Sequence, residues 1–432
     1  MKSVYKTMRC VLILILASSC HTKTKTQITN SNDYNTYLLV ANNAALERAK
    51  LNEAFWVEKL EKHPNQFPYL VKLANAYTDY FSATGNIDYL KKAEVNLLKV
   101  NTITNYNKPA YLKSLAYNFI SQHRFKEALD LLSKAELLGE DIQEARKMLF
   151  DVHLELGNYE LAHTYLNTFE NFSDFDYLIR LSKWSDHKGN LDAAIRYMEK
   201  AMAIAETSNL KGLKQWSYTN IADFYGHAGD IEKSYQYYLK ALRLDPNDAY
   251  AKKGIAWIVF SYEKNPSEAL RILDTVTSTY FAPDYYLLKA EIAEFINNDE
   301  LVQKQLALYN EAMQNTAYGD MYNKYNVLLY TDIKSKLESA LTIAQKEVEN
   351  RPTPQSYDLL AWVYFKKGDI NMALGIVDTY IIGKTFVPET LYHAAEIYKA
   401  AGRINDLQPL KEELLASSYE LGPSTVSKIN QL

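Results

Sequence analysis

Apolar residues recur along this chain at three- and four-residue spacing, which places them on one face of an α-helix. The clearest run lies at 215–248. Tyr218, Ile221, Ala222 and Tyr225 form a first stripe, Gly229-Asp230 interrupts it, and Ser234, Tyr238 and Ala241 form a second. Leu244-Asp245-Pro246-Asn247 closes the run, because proline lacks the amide hydrogen and clashes with the preceding helical turn. The pattern predicts two helices joined by a tight turn.

The same unit repeats. Gly85, Gly157, Gly189, Gly229, Gly368 and Gly402 each follow an apolar-periodic segment and precede a polar residue. Such a position asks for the left-handed conformation that ends a helix. About five residues after these turns, a small or apolar residue recurs at Ala128, Ala162, Ala194, Ser234, Ala269, Val302, Ala340, Ala373 and Leu407. The steps cluster near 34 residues, and they lengthen where the stretches 203–214 and 309–321 intervene. Further good units are 354–387, through Tyr357, Leu360, Ala361 and Tyr364, and 388–421, through Leu391, Ala394, Ala395 and Tyr398. Weaker ones begin near 67, 109, 143, 175, 249, 283 and 321.

This arrangement resembles the tetratricopeptide repeat, a helix–turn–helix of about 34 residues. The resemblance covers 67–421. It implies an all-α fold, a right-handed α-solenoid of about ten helix–turn–helix repeats. One hairpin cannot bury its apolar face alone, whereas stacked neighbours can. Residues 44–66, carrying Leu51, Phe55, Trp56 and Leu60 and ending near His63-Pro64, read as an N-terminal capping helix. Residues 405–421 supply the closing helix, and 422–432 read as a tail that frays.

Composition agrees. The 432 residues include 14 Gly and 11 Pro, about half the usual share of each. That scarcity favours long helices with short turns and argues against β-sandwiches, barrels and Gly-rich phosphate loops. Net charge is -4, so no surplus of positive charge exists for a nucleic-acid backbone, and no nucleic-acid partner is expected. The two cysteines, Cys10 and Cys20, precede the repeats, which leaves the repeats without a disulfide framework or a thiolate site.

The N-terminus has its own pattern. Lys2, Lys6 and Arg9 precede the apolar run Cys-Val-Leu-Ile-Leu-Ile-Leu at 10–16, and Ala17-Ser18-Ser19-Cys20 follows. A basic segment, a short apolar segment and small residues make an export signal over 1–20. The apolar run is too short to span a bilayer, which takes about 20 residues. The ending resembles a bacterial lipoprotein box, which implies lipidation of Cys20. His21 rather than Asp follows it, which by the lipoprotein sorting rule implies the outer membrane, facing the periplasm. Without lipidation of Cys20 the chain would be secreted or periplasmic. Residues 21–43 read as a flexible polar tether.

Tests for chemistry return ordinary explanations. The repeats hold no H-E-x-x-H, no G-x-S-x-G and no G-x-G. His187 and His227 precede turns and His153 lies on a core stripe, positions suited to capping and packing. Catalytic residues, metal ligands and cofactors are therefore not assigned, and the chain is read as a non-enzyme.

Aromatic residues are the remaining signal, with 35 Tyr among them. In tetratricopeptide repeats the first helix of each unit lines a concave groove. Projection onto that pattern sends Tyr117, Trp216, Trp257, Tyr322, Tyr325, Trp362, Phe365 and Tyr392 toward it, whereas Tyr77, Tyr225, Tyr364 and Tyr398 fall on the core stripe. Aromatic rings with a polar tip favour recognition. Asp151, Asp223, Glu291 and Glu396 make the projected groove partly acidic, and the Lys and Asn pairs with which some family members clamp a C-terminal carboxylate do not recur. The resulting reading is a non-catalytic scaffold or adaptor, lipid-anchored in a bacterial cell envelope, whose groove binds a partner protein or peptide. The alternative is a glycan- or nutrient-binding lipoprotein of an outer-membrane uptake system.

Overall fold

The computed structural model describes residues 27–432. The signal segment 1–20, Cys20 and the start of the tether lie outside the described residues.

A short helix, α1 (Ser31–Leu38), and a long one, α2 (Ala44–Lys62), precede the repeats. Ten antiparallel hairpins follow among the described residues. They pair α3 (Pro68–Thr84) with α4 (Ile87–Ile103), α5 (Pro109–Ser121) with α6 (Phe125–Leu138), and α7 (Ile142–Glu155) with α8 (Tyr159–Asn167). Next come α9 (Phe175–His187) with α10 (Leu191–Ser208), α11 (Lys211–His227) with α12 (Ile231–Leu244), and α13 (Ala249–Trp257) with α14 (Pro266–Thr277). The last four pair α15 (Pro283–Phe295) with α16 (Asp299–Ala312), α17 (Asn323–Thr331) with α18 (Leu337–Asn350), α19 (Pro354–Lys367) with α20 (Ile370–Ile376), and α21 (Pro388–Ala400) with α22 (Ile404–Ala416). Helix α23 (Ser418–Ile429) ends the chain. No helix among the described residues is long and apolar enough to cross a membrane.

The glycine-plus-polar pairs do two jobs. All six glycines adopt the left-handed conformation, with φ between 70° and 87°. The residue after four of them caps the next helix: Asn86, Asn190, Asp230 and Asp369 accept from the amides of Asp88, Ala193, Lys233 and Met372 at 3.0–3.2 Å. Each such cap contributes about 1 kcal/mol. The recurring small residues fall at the closest approach of paired helices. Ala128, Ala162, Ala194, Ser234, Ala269, Ala340 and Ala373 are fully buried, and Val302 is half-buried.

The hairpins wind tightly enough for successive superhelical turns to touch. The Phe281 amide donates to the Thr84 carbonyl at 2.7 Å. Arg351 reaches Glu155 at 3.4 Å, 196 residues away in sequence. Gly157 lies against the Pro352 carbonyl and Gly189 against the Phe386 ring. One superhelical turn therefore takes about six repeats of 34 residues.

Both chain ends differ from expectation. The tether does not run free to residue 43. Glu263 accepts from the Ile28 and Thr29 amides at 2.8 and 2.6 Å and from the Thr29 hydroxyl at 2.8 Å. Tyr34 and Leu38 are buried among residues of α12 and α14. Two apolar residues at i and i+4 in a polar stretch are enough to dock a single short helix. The tail does not fray either: Ile429 is fully buried and joins the core of the last two hairpins.

Candidate functional site

First helices of consecutive units form the inner wall of the winding. Four of them build one cleft there, with a volume of about 420 Å³. Helix α11 contributes Asp223, α13 contributes Tyr250, Lys253 and Trp257, α15 contributes Asp284, Leu287, Leu288 and Glu291, and α17 contributes Tyr325. Tyr238 enters from α12. A cavity of about 180 Å³ shares Asp223, Tyr238 and Trp257 with this cleft. A larger one of about 630 Å³ shares His227 and Glu420 with that cavity and extends to Glu155, Lys183 and Arg351. The interior is thus a row of connected hollows.

The C-terminal segment divides the row. The Tyr419 carbonyl accepts from the Trp257 indole N–H at 3.1 Å and from the Ser261 hydroxyl at 2.6 Å. Gly422 lies against the Trp257 ring and Glu291. Between Trp257 and the next helix, residues Ile258–Tyr262 form one wide π-helical turn, a departure that often accompanies function. The groove expected to stand open is therefore partly filled by the chain itself.

Electrostatics single out the cleft. Asp223 accepts from the Tyr238 hydroxyl and from the Tyr250 hydroxyl, the latter at 2.7 Å. Burial raises its carboxyl above the ordinary range even though these hydroxyls favour the charged form. Asp284 pairs with Lys253 at 3.3 Å. Glu291 makes no hydrogen bond or ion pair. Burial, reinforced by Glu294 and Glu389, pushes its pKa up to about 7 against a weaker pull from Lys428.

The aromatics predicted for the groove separate into four groups. Trp257 and Tyr325 line the cleft, and Tyr322 lies 5.9 Å from Tyr325, its hydroxyl 3.5 Å from Asp284. Trp362 stacks on His393 at 4.1 Å with Phe365 beside it at 5.0 Å. Tyr392 is a correction: it is 9% exposed, belongs to the C-terminal core and bonds Glu396 at 2.8 Å. The face assigned to the groove there is packed by α23. Tyr117 and Trp216 stand alone, 59% and 40% exposed, with Trp216 edge-on to Phe175. Of the acidic set, Asp223 and Glu291 meet in the cleft, while Asp151 is neutralised by Arg180 at 2.8 Å.

The sequence projection missed Tyr250, Lys253 and Asp284 and took Tyr238 only as core. One signal was available. Gly254 sits inside a helix, where glycine is unfavourable, and a side chain there would collide with the Tyr238 ring. His153 behaves as a packing residue. His153 is buried, stacks on Tyr165 at 5.4 Å and bonds Asn158, and burial lowers its pKa.

Comparison with known proteins agrees with the architecture. A family model described as tetratricopeptide repeat matches residues 217–248. A TPR repeat-containing protein of Methanocaldococcus jannaschii is 22% identical over 299 residues, which is 64% of this chain and 50% of that protein. The chain thus spans about half the length of this curated relative. Among solved structures, a human IFIT1 dimer with PPP-AAAA is 14% identical with a TM-score of 0.47, covering 72% of this chain and 71% of that one. Yeast Tom70 is 13% identical with a TM-score of 0.37, covering 92% and 96%. A tetratricopeptide repeat protein from Parabacteroides merdae is 18% identical with a TM-score of 0.39, covering 57% and 93%. At these identities and scores the three likenesses carry nothing about ligands.

Proposed function

We propose that this chain, whose residues 217–248 match a tetratricopeptide-repeat family model, serves as a non-catalytic adaptor in a bacterial cell envelope, holding a partner protein or peptide on the inner wall of its solenoid. One observation carries the reading. Trp257 and Tyr325, chosen from the sequence as groove residues, come from different units and share one cleft with Asp223, Asp284 and Glu291. Clefts of roughly 300–1,000 Å³ with aromatic walls and a few polar groups are the usual form of a recognition site.

Attachment follows from the first twenty residues. A lipid on Cys20 holds the protein at the outer membrane, and several acyl chains make the anchor stable. Glu263 grips the chain at Ile28, so the eight intervening peptide units reach at most about 28 Å. The solenoid then sits close to the membrane surface.

The test pairs two measurements. The mature protein is immobilised, partners are captured from its own cells, and capture is repeated with Trp257→Ala/Tyr325→Ala. Loss of a specific partner with helicity retained supports the inner wall; undiminished capture rejects it. Cys20→Ala is expected to move the protein out of the membrane fraction, and retention there would sink the anchor.

A further inference from the structure

We propose that the cleft between α11, α13, α15 and α17 receives a cationic side chain, the lysine ammonium or arginine guanidinium of a bound peptide. This rests on the reading that the inner wall binds a peptide, and it names what that peptide must carry.

The charge balance comes first. Asp223, Asp284 and Glu291 face the cleft and Lys253 is the one basic residue lining it. Lys253 is engaged by Asp284. Asp223 receives only neutral hydroxyls, and Glu291 receives nothing. Two carboxylates therefore lie in a partly desolvated hollow with no cation in direct contact; Lys253 and His227 act on Asp223, and Lys428 on Glu291, only at longer range. That arrangement is costly unless a cation completes it.

The walls match the rest of such a side chain. Trp257, Tyr250 and Tyr325 add aromatic surface to the lining, of the kind that attracts cations: Lys253 already lies 5.5 Å over Tyr250 and Lys324 5.9 Å over Tyr325. Leu287 and Leu288 offer apolar surface to its methylene stem. A bare metal ion is the wrong occupant: no three acidic or imidazole groups among the described residues converge closely enough to hold one. An anionic or phosphorylated segment would meet three acidic groups against a single lysine. Burial already pushes Glu291 toward neutrality, and an incoming cation would restore its charge, so part of the electrostatic cost is relieved on binding.

The experiment uses the mature protein and an array of immobilised twelve-residue peptides, each basic position also presented as glutamine. We expect binders to lose about tenfold in affinity when one particular Lys or Arg becomes Gln. We expect Glu291→Gln to lower affinity for the basic peptide about tenfold and to leave the glutamine peptide unchanged. Because Glu291→Gln removes an unpaired buried charge, its thermal midpoint should equal or exceed the parent's, which keeps the variant interpretable. A second variant, Asp223→Asn, should act in the same direction. If peptides bind but neither the Lys/Arg replacement nor the two variants change affinity, the cation site is wrong while the inner-wall reading survives. If no peptide binds, both fall. Spermidine competing as strongly as the best peptide would assign the site to free polyamines and overturn the peptide occupant.

Discussion

Trp257 donates its indole N–H to the carbonyl of Tyr419 at 3.1 Å, joining residues 162 apart in sequence. Ser261 donates to the same oxygen, so one backbone acceptor in the last helix is held twice by the inner wall. Trp257→Phe removes one donor, together with the far edge of the indole that lies against Gly422; Ser261→Ala removes the other. With both gone the carbonyl loses its partners, at a cost of about 1–3 kcal/mol. Amide exchange over 418–429 is expected to accelerate while exchange in α3–α8 stays as it was. Unchanged protection of α23 would mean that packing of Leu421 and Ile429 alone holds the segment.

Gly157 and Gly229 share one backbone conformation, with φ of 75° and 78°, yet only Gly157 meets a neighbour. A side chain at Gly157 would stand 2.9 Å from the Pro352 carbonyl oxygen, while at Gly229 it would point into open space. Alanine at either pays the left-handed penalty of about 1–2 kcal/mol. Gly157→Ala must also separate two superhelical turns, adding about 1–3 kcal/mol. Urea denaturation of the two variants isolates the contact between turns. Equal midpoints would show that the turns are not pressed together.

The contrast between those glycines also shows how far the sequence could be read. Residues 157 and 229 look alike within their repeats, and both were legible as hairpin turns because a helix end needs positive φ. Whether a turn meets another repeat six units on depends on accumulated superhelical twist, to which no local pattern points. The same holds for Tyr392 and Trp257. Their helical phase was readable, but the arrival of α23 over them depends on where sixteen terminal residues travel. Tyr34 and Leu38, two apolar residues in a polar stretch, were too few to show periodicity, so the docked α1 was not foreseen. In the cleft, Asp223 and Glu291 were found by phase, whereas Asp284 enters through its pairing with Lys253 on the preceding unit.

Glu263 is the clamp on the N-terminal segment. Its carboxylate accepts three hydrogen bonds from Ile28 and Thr29, and hydrogen bonds to a charged group are worth about 1.5–3 kcal/mol each. Glu263→Ala is expected to free residues 27–39 without disturbing the hairpins. Limited proteolysis then cuts before Ala44 at least tenfold faster, a factor that about 1.4 kcal/mol of lost local stability would produce. Cleavage at the parent rate would mean that burial of Tyr34 and Leu38, with the hydrogen bonds from Asn30 to Tyr235, from Tyr34 to Glu268 and from Arg271 to Asn35, holds the segment without Glu263.

His393 and Asp358 form a buried pair, with Nδ1 3.0 Å from the carboxylate, beneath the Trp362 ring. Burial disfavours the imidazolium, but the Asp358 carboxylate outweighs it and holds the His393 pKa above the ordinary value. A raised folded-state pKa contributes stability that is complete below the unfolded pKa of about 6.5 and is lost as pH rises through the folded value. We therefore expect this pair's contribution to unfolding free energy to fall as pH rises through that window. Asp358→Asn removes the nearest countercharge, leaving burial and Lys324 to depress the histidine against the weaker pull of Glu389. Imidazole nitrogen shifts followed by NMR should show His393 titrating above 6.5 in the parent and below 6.5 in the variant. The histidine's contribution to stability should then reverse its pH dependence, rising with pH instead of falling. A His393 that titrates below 6.5 in the parent would mean that burial, not Asp358, sets its charge.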